Sequence, residues 1–101
     1  MLRAVFVRTL RAGVTYEQYV DAWAPQDLDG SYPARISVAR NATDDRQVIT
    51  ILELDMSMAE FEEQRAALTR PDALERLAEI VDTTELQGVY EDVFGNRGVR
   101  N

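Results

Sequence analysis

Two short stretches constrain this chain more than any other feature. Residues 2–8 run Leu-Arg-Ala-Val-Phe-Val-Arg and residues 47–54 run Gln-Val-Ile-Thr-Ile-Leu-Glu-Leu. Both are rich in β-branched and aromatic side chains, and as strands both are apolar on either side of the pleat. Val5 and Val7 stand opposite Ala4 and Phe6, and Ile49 and Ile51 stand opposite Val48 and Leu52. A strand with two apolar faces belongs inside a sheet that is covered above and below. The whole chain has 101 residues, the size of one domain, so a single core must supply that cover.

The intervening segments alternate between helix and strand signals. Arg11-Ala-Gly13 breaks the first strand, and Thr15-Tyr-Glu-Gln18 has the spacing of a capping box. Tyr16, Tyr19, Val20 and Trp23 then fall at i, i+3, i+4 and i+7, which predicts one helical stripe ending before Pro25. Residues 25–33 read as a loop. Residues 34–41 alternate, with Ala34, Ile36 and Val38 on one side and Arg35, Ser37 and Ala39 on the other, as a half-buried edge strand does. A polar turn over 41–46 joins this strand to 47–54 as a hairpin. Pairing Asn41 with Arg46 sets Ile36 against Ile51 and Val38 against Ile49, giving one wholly apolar face, with Val48, Thr50 and Leu52 beside Arg35 and Ser37 on the other.

Ser57-Met-Ala-Glu60 is a second capping box, opening a helix that buries Met58, Phe61, the stem of Arg65 and Leu68. Pro71 starts a further helix with the stripe Leu74, Leu77, Ala78 and Val81. Residues 86–94 form a last strand, and 95–101 a polar tail outside a single domain spanning 1–94. The order is β-α-β-β-α-β with the second helix broken. It specifies an α+β, ferredoxin-like split βαβ fold: a four-stranded antiparallel sheet with helices on one face and strands one and three in the centre. No segment remains to cover the other face. Each large apolar side chain left wet there costs about 1.5–3 kcal/mol, against a total margin of about 5–15 kcal/mol. The expectation is a homodimer packed sheet on sheet.

Composition narrows the chemistry. There is no Cys, His or Lys; all 11 basic residues are Arg, against 18 acids, for a net charge of −7. Thiol and imidazole nucleophiles, Schiff bases, Cys/His zinc sites and disulfides are excluded. A chain this acidic repels the phosphate backbone, so nucleic acid is not an expected partner. Arg8 interrupts the first apolar run, so residues 1–12 read as mature structure rather than a leader; neither a membrane nor export is expected, and the cytoplasm is the default compartment. Asp27-Leu-Asp29-Gly30 lacks the Gly and Glu positions of a calcium loop, and no phosphate-binding glycine motif is present, so neither a metal nor a cofactor is expected.

The run Arg11-Ala-Gly13-Val-Thr15-Tyr-Glu17-Gln-Tyr19-Val-Asp-Ala-Trp23 resembles the strand-to-helix passage of EthD-like proteins. Ile51-Leu-Glu53 through Phe61-Glu-Glu-Gln64 is similar to the corresponding passage of antibiotic-biosynthesis-type monooxygenases. Over residues 2–94 the chain thus resembles the dimeric α+β barrel superfamily. Members commonly carry a His after the helix-one Trp or the helix-two Phe. Here Pro25-Gln26 and Gln64 occupy those regions, which removes a haem ligand and an imidazole base.

The resemblance implies a pocket for a compact aromatic or polyketide-like ligand between the first helix and the sheet, with cofactor-independent oxidation or isomerisation as the activity it would carry. The alternative is a non-catalytic ligand-sensing or accessory module. Tyr16, Tyr19 and Trp23 suit such a pocket, although aromatics at helical spacing more often form a core. Arg35 and Ser37, sharing a strand face with Thr50, would hold a carboxylate or enolate oxygen, or else pair with a nearby acid. Gln64 completes the candidate ligand-binding set, and no catalytic residue is assigned.

Overall fold

A computed structural model of the chain describes residues 1–26, 28 and 30–95. Its elements are β1 (Leu2–Leu10), α1 (Tyr16–Trp23), β2 (Arg35–Asn41), β3 (Asp44–Leu54), α2 (Met58–Gln64), a 3-10 turn (Arg65–Ala67), α3 (Ala73–Ile80) and β4 (Val81–Glu91). The strands make one antiparallel sheet in the order β2-β3-β1-β4. This is the predicted ferredoxin-like topology, and the doubly apolar strands β1 and β3 occupy its centre.

Both capping boxes form. Thr15 Oγ1 accepts the Gln18 amide at 3.1 Å and Gln18 Oε1 accepts the Thr15 amide at 2.8 Å; Ser57 and Glu60 repeat the exchange at 3.2 and 3.0 Å. Gly13, at φ 86°, makes the turn that leads into α1. Thr15→Ala is expected to cost about 1 kcal/mol, read as a lower urea midpoint with an unchanged slope.

The helices pack on one face of the sheet. Leu2, Ala4, Leu10, Val48, Leu52 and Leu54 meet Tyr19, Ala22 and Trp23 of α1, Phe61 of α2, and Ala73 and Leu77 of α3. The break between α2 and α3 is pinned to the end of α1. The Arg70 amide donates to the Trp23 carbonyl at 2.8 Å, the Arg70 guanidinium to the Asp21 carbonyl at 3.1 Å, and the Tyr32 hydroxyl to the Leu68 carbonyl at 2.7 Å. These donors serve carbonyls that helix ends leave open. Burial pushes the Tyr32 phenol up to about 12. The fold favours the neutral phenol, so this contribution is complete below the ordinary tyrosine pKa of about 10 and fades as pH rises toward about 12. Near-ultraviolet titration should show one tyrosine ionising near pH 12 that Tyr32→Phe removes.

Over residues 35–40 the hairpin register differs from the expected one by a single residue. Asn41 pairs with Asp44, Ile36 with Leu52 and Val38 with Thr50. The turn itself is tight, with Asn41 Oδ1 accepting the Thr43 amide at 2.9 Å, but the register then shifts between Arg40 and Asn41. Asp45, Arg46 and Gln47 are extra residues on β3 before Val48 pairs with Arg40, and this irregularity sets the slip. One residue of slip exchanges the faces. Ile36 and Val38 therefore lie with Val48, Thr50 and Leu52 on the helix side, while Ile49 and Ile51 lie with Arg35, Ser37 and Ala39 on the open side.

Other expected positions also move. α3 begins at Ala73 rather than Pro71, so Ala73 and Leu77 are buried while Leu74 is 84% exposed and Ala78 is exposed. Met58, at the start of α2, is exposed too. β4 runs Val81–Glu91 rather than 86–94, following α3 without a loop. Its register shifts opposite Val7/Arg8 and Thr9/Leu10, and such bulges erase the alternation that marks a strand. Within the expected tail, residues 96–101 lie outside the described residues, as do Asp27 and Asp29 of the loop weighed for calcium.

No helix among the described residues covers the sheet's other face. Val5, Val7, Ile49 and Ile51 are half-buried there, and Leu86 and Tyr90 are exposed. Polar groups rim the patch: Arg3 reaches Glu53 and Asp92, both at 2.8 Å, and Thr9 donates to Glu85 at 2.8 Å.

Candidate functional site

Between the helix face of the sheet and the α2–α3 break lies a cavity of about 460 Å³. β1 contributes Ala4, Phe6 and Arg8, β3 contributes Thr50 and Leu52, and β4 contributes Gln87 to Val89. Trp23 comes from the last turn of α1, Phe61 from α2, and Leu74 and Leu77 from α3. The size lies within the range of small-molecule sites, and the wall has their usual character of apolar surface with a few polar groups.

The polar groups meet on the sheet. Arg8 is in phase with Leu2, Ala4, Phe6 and Leu10, so the pleat turns it toward the helices. Its guanidinium carbon lies 4.6 Å from the Phe6 ring centroid and 5.9 Å from that of Tyr19. Arg8 Nη1 donates to the Tyr19 hydroxyl at 3.0 Å, and that oxygen lies 2.7 Å from Thr50 Oγ1. With Arg8 donating to it, the Tyr19 hydroxyl can donate its hydrogen bond to Thr50 Oγ1, and in that arrangement the Thr50 hydroxyl has its own hydrogen to donate. Among the described residues no carboxylate lies within 4.0 Å of Arg8. Trp23 packs edge-on to Tyr19 with centroids 6.4 Å apart, and among the described residues its Nε1 is the buried side-chain nitrogen or oxygen without a hydrogen-bond partner.

The structure divides the six residues expected at the site. Trp23 lines the cavity and Tyr19, fully buried, holds Arg8 from behind. Tyr16 lies instead along a shallower groove between α1 and β2, and its hydroxyl donates to the Asp45 carbonyl at 2.6 Å. Arg35 and Ser37 sit on the open face, opposite Glu53 and Ile51, with the sheet between them and the cavity. This follows from the register slip, which also separates them from Thr50. Gln64 is exposed and absent from the wall, where its neighbours Phe61 and Arg65 stand. Sequence reading missed Arg8 and Gln87. The signal for Arg8 was present, since a lone charge in phase with a buried strand face calls for an explanation.

The wall can bind, orient and polarise. Among its described residues it holds neither a carboxylate nor an imidazole, and no described cluster of acids is placed to hold a metal ion. No helix among the described residues is long and apolar enough to cross a membrane.

No family model matches the chain, and no curated protein matches it. Solved structures do share its fold. A proposed antibiotic biosynthesis monooxygenase from Chloroflexus aurantiacus J-10-fl superposes with a TM-score of 0.62 at 13% identity, over 93% of this chain and 94% of the other. A dimeric protein of unknown function and ferredoxin-like fold from Bacteroides fragilis NCTC 9343 gives 0.53 at 17% identity, over 90% and 95%. The chain thus has the ferredoxin-like fold seen in monooxygenase-like and dimeric structures.

Proposed function

We propose that this chain is a small-ligand-binding α+β barrel protein, with residues 1–94 as its single domain, whose cavity takes a compact aromatic or polyketide-like molecule. The observation that carries the reading is the convergence of Arg8, Thr50 and Trp23 on one largely apolar cavity of about 460 Å³. Two copies pack their open sheet faces together, which removes Val5, Val7, Ile49 and Ile51 from water. The dimeric Bacteroides structure supports this assembly. The cytoplasm is the compartment we assign it.

The Chloroflexus structure, that of a proposed monooxygenase, supports a catalytic version; in our reading dioxygen oxidises the bound aromatic, or the cavity isomerises it, and no cofactor takes part. Among its described residues the wall holds no proton acceptor of the carboxylate or imidazole kind, so such a reaction would require a substrate that reaches the cavity already ionised. Trp23 is the chain's sole tryptophan, so its emission reports on the cavity directly. A panel of polycyclic phenols should shift or quench that emission saturably, and oxygen uptake with a dihydroxyaromatic marks the enzyme. Unmoved emission across the panel contradicts the ligand reading; binding without oxygen uptake leaves the sensing or accessory module.

A further inference from the structure

We infer that the cavity takes its ligand as an anion, with a carboxylate or ionised phenol oxygen seated on Arg8 and the aromatic body against Trp23, Phe61 and Leu77. This deepens the ligand-binding reading and rests on it. The chain carries −7 overall, yet the charged residues in the described wall are Arg8 and Arg65, both cations. Arg65 stands at the exposed rim, 5.4 Å from the Phe61 ring centroid and paired with Glu62 at 3.0 Å. Arg8 lies deeper, on the sheet, and among the described residues no acid lies within 4.0 Å to answer it.

Stacking does not use up the Arg8 side chain. A guanidinium meets aromatic rings through its π face and presents its five N–H donors around the edge. One donor goes to the Tyr19 hydroxyl, and the ring contacts with Phe6 and Tyr19 hold the group in place. The rest of the fork is a pre-oriented seat for two oxygens of one carboxylate. Thr50 is buried beside it with a hydroxyl proton to give once Tyr19 has donated. A neutral hydrocarbon would bury this cation uncompensated, whereas an anion pairs with it out of bulk water. The wall therefore discriminates by charge as well as by shape.

The test compares 2-naphthoate with its neutral counterpart 2-naphthalenemethanol by titration calorimetry at neutral pH, on the wild type and on Arg8→Gln. The wild type is expected to bind naphthoate at least about tenfold more tightly, and Arg8→Gln to bring the ratio of the two affinities toward one. Arg8→Lys, which keeps the charge and loses the fork, should fall between them. Circular dichroism of each variant checks folding, and because the readout is a ratio within one protein, partial loss of folded material does not mimic the effect. Equal or tighter binding of the alcohol by the wild type overturns the anion inference and leaves the ligand reading standing, as does a naphthoate preference that survives Arg8→Gln. If neither compound binds the wild type, the cavity reading fails with it.

Discussion

Trp23→Ala is expected to cost about 3–5 kcal/mol of stability, while Trp23→Phe costs no more than about 1 kcal/mol. Trp23 is buried where α1, the sheet and the α2–α3 break meet, and its carbonyl anchors the Arg70 amide at 2.8 Å. Truncation to Ala removes the ring that packs on Tyr19 and merges its volume with the adjoining cavity. Phe keeps most of that packing and also discards an indole N–H that has no partner among the described residues, an unsatisfied donor that costs about 1–3 kcal/mol. The lost packing and the relief of the unsatisfied donor therefore nearly cancel in Trp23→Phe. Urea unfolding followed by circular dichroism, at one fixed protomer concentration, separates the variants. Equal costs for Ala and Phe would show that the ring is not a packing element.

The second large effect concerns the open face. Ile51 lies at its centre, between Val5 of β1 and Ser37 of β2. In a lone protomer Ile51→Glu would place a carboxylate on a half-wet surface, which costs little. In a sheet-on-sheet dimer it buries a charge against the partner's apolar strands, and dimer affinity should fall by about a hundredfold or more. Sedimentation velocity over a concentration series reads the shift, and retained circular dichroism shows that the protomer still folds. An unchanged sedimentation profile would mean that Ile51 lies outside the interface.

Much of the fold was legible because local and long-range signals agreed. The capping boxes at Thr15 and Ser57, the Pro25 stop and the doubly apolar strands each point to the element that forms, and together they leave one topology. What was not legible depended on turns and bulges. The Asn41 turn is shorter than its polar run suggests and is followed by a register shift at Arg40/Asn41, and the net slip of one residue sets Ile49 and Ile51 beside Arg35 and Ser37 on the open face and parts Arg35 and Ser37 from Thr50. The bulges of β4 hide a strand inside Asp82-Thr-Thr-Glu85, whose polar residues read as loop. The site suffered in proportion. Helix periodicity placed Tyr19 and Trp23 on the inner stripe, but it also carried Tyr16, which the helix turns toward the outer groove. Arg8 went unassigned because a cation in the middle of an apolar strand looks like an interruption until its face is known.

The claim on which the assembly rests is that a second copy covers the exposed apolar sheet. Sedimentation equilibrium of the unmodified protein at micromolar concentration tests it most directly. The account predicts a mass twice that of the 11.5 kDa protomer; a folded species that stays at the protomer mass across that range would contradict it.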